Sequence, residues 1–138
     1  MSLCAKEPTQ TIAKKTLENY ANDGWDFYAP NLIVAEVLYI LCQKHQSKNL
    51  TNQSYKEAIE NFRDQMKAIK TVADKVLIKR ATEIQKDYGC SRSADSLYIA
   101  LAEHLSKSNT VEILTFDNGF TNQIAKNAPI VKVKVLPI

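Results

Sequence analysis

The 138-residue chain predicts an α/β sandwich with a mainly parallel sheet, and three observations carry that prediction. VEILTFD, from Val111 to Asp117, reads as a short buried strand that ends in an aspartate. IVKVKVL, from Ile130 to Leu136, alternates apolar and charged residues with the two-residue period of a half-exposed strand. Helical segments stand before and between these runs. The resulting order (strand, helices, strand, helix, strand) suits strands that pair in parallel through helical crossovers.

The elements follow in order. Thr9 to Asn22 is an amphipathic helix with Ile12, Leu17 and Tyr20 among its apolar positions, broken by Asn22-Asp23-Gly24. Asp26 to Ala29 is a short strand with Pro30 as its stop, and a strongly apolar helix follows from Asn31 to Leu41 before polar QKHQSKN. Thr51 to Ile69 places Tyr55, Ile59, Phe62, Met66 and Ile69 at helical spacing, with Ser54 and Glu57 as a capping box. Ala73 to Tyr88 is a further helix through Val76, Leu77, Ala81 and Ile84, ended by Gly89. Ser91 or Ser93 caps the helix ADSLYIALAEHLSKS, and another helix spans Gly119 to Lys126 after the Asp117 strand.

Composition bounds the function. A chain of this length is expected to form one domain with a real core, here 1–138. No apolar run approaches the roughly 18 residues of a membrane span, and no signal peptide is visible. Cys4, Cys42 and Cys90 are odd in number and widely spaced, and His45 and His104 stand apart, so neither a disulfide framework nor a zinc site is indicated. A reduced, cytoplasmic setting fits best. The net charge of +3 is compatible with a nucleic-acid partner without arguing for one.

Three carboxylates stand out. Glu36 interrupts NLIVAEVLYIL, where its neighbours one turn away, Leu32, Ile33, Tyr39 and Ile40, all look core-facing. No Lys or Arg occurs between residues 16 and 43 to pair with it. Asp95 lies in the first turn of its helix, where the dipole alone favours an acid. Asp117 ends a strand, where it either begins a turn or lies where α/β sheets gather ligands. Carboxylates that meet in one cleft repel unless a cation neutralises them, and their hard oxygens suit Mg²⁺ or Mn²⁺.

These residues lie in segments that resemble the PIN-domain family (PilT N-terminus), especially the VapC-like toxin ribonucleases of bacterial toxin–antitoxin pairs. The matching segments are APNLIVAEVL, SADSLYIALAE and ILTFDNGF, in that order along the chain. The resemblance implies a three-layer α/β/α sandwich and metal-dependent cleavage of RNA. Carried over, Glu36, Asp95 and Asp117 are the catalytic metal ligands for Mg²⁺ or Mn²⁺. Thr115 lines the site with a hydroxyl, Asn118 is a weaker polar contributor, and Arg92 touches phosphate, against its blander reading as a solvent-facing charge. An antitoxin partner and a homodimer are implied likewise. The alternative is a non-catalytic PIN-like module that binds RNA or a protein.

One part of the family pattern is not matched. PIN domains begin with a short apolar strand ending in an aspartate, whereas this chain opens MSLCAKEPTQ and has no aspartate before Asp23. The expectation is an N-terminally incomplete PIN-like domain, either a shortened chain or a natural loss, with weak or absent nuclease activity. Such a sheet lacks its central strand. Direct pairing of the strands near Phe27 and Ile113, or oligomerisation, is then expected to satisfy the backbone.

Overall fold

The computed structural model describes residues 10–87, Cys90, 93–117, 119–129 and 131–137. The opening residues, in which no leading strand is expected, lie outside the described residues, as do Gly89, Ser91, Arg92 and Asn118. The chain divides into two compact units, one reaching Thr71 and the other spanning Val72–Pro137.

In the first unit, α1 (Gln10–Asn22) is followed by β1 (Phe27–Pro30), α2 (Leu32–Gln46), α3 (Asn52–Met66) and all but the last residue of β2 (Ile69–Val72). α1 ends where expected. Gly24 takes φ +87°, its N–H reaches the Ala21 carbonyl and that of Trp25 reaches Tyr20, a left-handed closure that suits glycine. Pro30 is the last residue of β1 rather than a stop after Ala29. α2 and α3 pack through Val37, Leu41, Ala58 and Phe62, with Ile33, Tyr55, Ile59 and Met66 around them.

Two expectations fail here. The cap of α3 is Thr51, whose hydroxyl accepts the Ser54 N–H at 3.0 Å. Ser54 therefore sits inside the helix, and Glu57 accepts from Gln53 instead of closing a capping box. Ile69 does not extend α3. With Thr71 and Val72 it forms β2, because a β-branched run overrides a helical spacing that Met66 and Ile69 happen to continue. β1 takes β2 as its hydrogen-bonded neighbour.

In the second unit, a 3-10 turn (Asp74–Val76) leads into α4 (Ile78–Gln85), then α5 (Ser93–Ser106), β3 (Glu112–Thr115), α6 (Gly119–Asn127) and β4 (Lys132–Val135). The helix expected from Ala73 is thus shorter. Ala73 is extended and Leu77 joins the two turns, leaving Val76 58% and Ile78 59% exposed rather than in the core. Ser93 opens α5, and its hydroxyl donates to the Cys90 carbonyl at 2.7 Å.

β3 and β4 pair in parallel, Glu112 opposite Lys132 and Thr115 opposite Val135, with α6 as the crossover that parallel strands require. The α/β class with parallel strands is therefore what the chain adopts. β3 is half-buried along its length and stops at Thr115, so Asp117 lies just beyond the strand instead of ending it. The core of this unit gathers Leu77, Ile84, Ile99, Leu101, Phe120, Ile124 and Val131, with Ile113 and Val133 against it. Among the described residues no helix is long and apolar enough to cross a membrane.

Candidate functional site

Asp117 is the best-defined of the three carboxylates. Its exposed side chain follows the carboxyl end of β3, and its own N–H donates to the Thr115 hydroxyl at 3.0 Å. Its Oδ1 accepts the Gly119 N–H at 2.7 Å, and its carbonyl accepts that of Phe120 at 3.3 Å. The Thr-x-Asp pattern is thus a closed local turn that also starts α6. The bland role foreseen for Asp117, beginning a turn, is present alongside any ligand role.

Thr115 is fixed from two sides. Its carbonyl accepts the Leu136 N–H at 2.7 Å, which fastens the end of β3 to the chain after β4. Its hydroxyl accepts the Asp117 N–H, which turns the hydroxyl proton away from that amide. Asp95 lies half-buried in the first turn of α5, beside the fully buried Ser96. An acid there is favoured by the helix dipole without any ligand.

Glu36 differs from expectation. α2 directs Val37 and Leu41 inward, and Glu36 lies half-buried on the flank of that stripe. Tyr39 is 63% exposed, while Leu32, Ile33 and Ile40 are half-buried, so the carboxylate is not enclosed by four core residues. Helical spacing told which residues neighbour one another. It could not tell which way an almost wholly apolar helix faces, because such a helix has no strong polar side.

The candidates are distributed between the units: Glu36 belongs to the first, and Asp95, Thr115 and Asp117 to the second. The donor chemistry, carboxylates and a hydroxyl, fits a hard divalent cation. Within either unit, among the described residues, no three His, Cys, Asp or Glu side chains form a group that would hold a metal. A polar depression at the end of α2, lined by Gln43, Lys44, Gln46, Ser47 and Asn49, includes none of the candidates. His104 is exposed, and His45 stacks on Tyr55 with 4.3 Å between ring centroids and a 2.7 Å contact from Nε2 to Asn52 Oδ1.

The strongest polar arrangement was not foreseen. Arg80 on α4 donates from Nε and Nη2 to both carboxylate oxygens of Glu103 on α5, at 2.8 and 3.0 Å. Nη2 also donates to the Asn127 carbonyl at 2.9 Å, and Nη1 to Glu83 at 3.2 Å. The hydrogen bond to Glu103 raises the guanidinium pKa above its usual value, against the lowering effect of burial. The i,i+3 spacing of Arg80 and Glu83 is the one part of this cluster that a sequence displays.

The model of one protein family, described as the PIN domain, matches residues 1–125. No curated protein matches the chain.

Proposed function

Because the chain belongs to the PIN domain family, we propose that it is a Mg²⁺- or Mn²⁺-dependent ribonuclease of VapC-like type, the toxin of a toxin–antitoxin pair. PIN domains are typically metal-dependent nucleases, generally use divalent metal ions and commonly act on RNA. The observation that carries the reading is the Thr115–Asp117 turn at the carboxyl end of a parallel strand, where open α/β sheets collect ligands.

In this reading Asp117, Asp95 and Glu36 hold the ion. A divalent ion supplies positive charge to the scissile phosphodiester and acidifies a water for attack. Thr115 keeps Asp117 in place through the 3.0 Å bond from its amide and presents its own hydroxyl proton to the site. The Gly119 N–H fixes Oδ1 of Asp117, so that carboxylate meets its ligand already oriented. Arg92 contacts phosphate and Asn118 adds a weaker polar contact. An antitoxin, a homodimer and a cytoplasmic location complete the proposal.

Activity of this chain is expected to be weak or absent. The second reading is a PIN-like module that binds RNA or a protein without cleaving it. RNA cleavage with and without Mn²⁺, on the wild type and on Glu36→Gln, tests this. Faint or undetectable cleavage with measurable Mn²⁺ binding is expected. Vigorous Mn²⁺-stimulated cleavage lost in the variant overturns the expectation of weak activity, and RNA binding without metal binding favours the module.

A further inference from the structure

Where the 3-10 turn runs into α4, two aliphatic side chains stand in solvent. Val76 and Ile78 are both more than half exposed, on either side of Leu77, which is buried in the core of the second unit. The Leu77 N–H closes the turn on the Asp74 carbonyl at 2.9 Å, and its carbonyl accepts the Ala81 N–H at 2.9 Å. Leu77 is thus pinned inward from both sides, and its β-branched neighbours are left outside. One exposed aliphatic residue is ordinary on a protein surface. Here two stand together, with the exposed Lys75 and Lys79 immediately outside them.

The fold gives these two lysines no use. Among the described residues neither takes part in an ion pair. The acids closest in the chain are engaged elsewhere. Glu83 accepts from Arg80 Nη1 at 3.2 Å, Asp87 lies 3.6 Å from Lys126 Nζ, and the half-buried Asp74 is not free. Lys86 is explained by its place at the C-cap of α4, because that pole of a helix favours a cation. Lys75 and Lys79 lie at the opposite end, just before α4 and in its first turn, where the dipole disfavours positive charge.

We propose that Val76 and Ile78, with Lys75 and Lys79 around them, form a docking surface for an acidic segment of another protein, one that carries aliphatic or aromatic residues beside its carboxylates. Apolar anchors inside a charged rim are the anatomy of a protein interface. Charge chooses among the possible occupants. A second copy of the chain would bring lysines against lysines across a two-fold axis, because such a contact uses the same patch twice. RNA would satisfy the lysines but find no aromatic ring to stack on at Val76 and Ile78. An acidic, partly apolar segment satisfies both pairs. None of the four residues is a candidate metal ligand, so the proposal stands apart from the metal reading and from RNA cleavage.

The test selects random peptides displayed on phage against the full chain and counter-selects with the double variant Val76→Ser/Ile78→Ser. Both side chains stand in solvent, so the variant is expected to melt as the wild type does. Should it fail to fold, Lys75→Gln/Lys79→Gln takes its place in the counter-selection. The enriched peptides are expected to combine Asp or Glu with aliphatic or aromatic residues. By fluorescence anisotropy such a peptide should bind the Val76→Ser/Ile78→Ser protein about tenfold more weakly than the wild type. It should also bind Lys75→Gln/Lys79→Gln more weakly, with a difference that shrinks as salt is added. No enrichment, enrichment of neutral or basic peptides, or equal binding to wild type and both variants overturns the proposal. Oligouridylate that binds through Lys75 and Lys79 and ignores Val76→Ser/Ile78→Ser overturns it in favour of a nucleic-acid face. Self-association of the wild type that Val76→Ser/Ile78→Ser abolishes overturns it in favour of a second copy.

Discussion

The two units hold their carboxylates by different means. In the second unit, Asp95 and Asp117 occupy backbone termini, the first turn of α5 and the end of β3, where local hydrogen bonding or a helix dipole already specifies an acid. In the first unit, Glu36 sits inside α2, away from either terminus, on the flank of the stripe that Val37 and Leu41 bury. That packing is thin, with four buried residues between α2 and α3, and it leaves Val34, Leu38 and Tyr39 exposed on the same helix. A site residue at a terminus is therefore fixed by a few local bonds, whereas one inside a helix depends on everything the helix leans on.

The sharpest way to break this comparison is to empty each core. Ile99→Ala removes a fully buried side chain from the larger core and is expected to cost about 3–5 kcal/mol, whereas Leu41→Ala, in a smaller core that collapses more easily, costs about 2–4 kcal/mol. Urea denaturation measures both. A larger loss for Leu41→Ala would reverse the ranking of the two regions. Next in size is Thr51→Ala, which removes the hydroxyl that caps α3 and is expected to cost about 1 kcal/mol by the same measurement. Ser54→Ala, which was the cap expected from sequence, should change stability by less than half that, and the reverse order would restore the capping box.

Much of this architecture was legible in the sequence. The alternation of IVKVKVL and the strand before Asp117 gave the parallel pair, because a period of two is visible without tertiary information. Asp95 and Asp117 were legible for the same reason, since helix starts and strand ends have local signatures. What stayed hidden depended on distance. Arg80 meets Glu103 across 23 positions and Asn127 across 47, and no local pattern links them. β2 was hidden because its first residue, Ile69, continues a helical spacing, and the outward face of Tyr39 because α2 is apolar nearly all round.

The smallest expected effect concerns pH. Lys70 is exposed, and its hydrogen bond to Asp26, at 3.2 Å, holds the ammonium above its usual value of 10.5. A raised pKa in the folded state means a contribution that is fully present below the unfolded value and lost as pH rises through the folded one. Asp26→Asn should thus leave melting at neutral pH nearly unchanged, because exposed pairs are screened, and flatten only the decline above about pH 10. A clear neutral-pH loss would show that this pair supports the β1–β2 sheet more than its exposure implies.

The central claim, that the second-unit carboxylates serve a divalent cation, is tested most directly by calorimetric titration of Mn²⁺ into the wild type and Asp117→Asn. Asparagine keeps an oxygen to accept the Gly119 N–H, so α6 remains capped while the charge is lost. The account predicts a saturable heat for the wild type, an affinity at least about tenfold weaker in the variant, and unchanged melting of the metal-free proteins. Equal Mn²⁺ binding by both proteins, or none by the wild type, would contradict it.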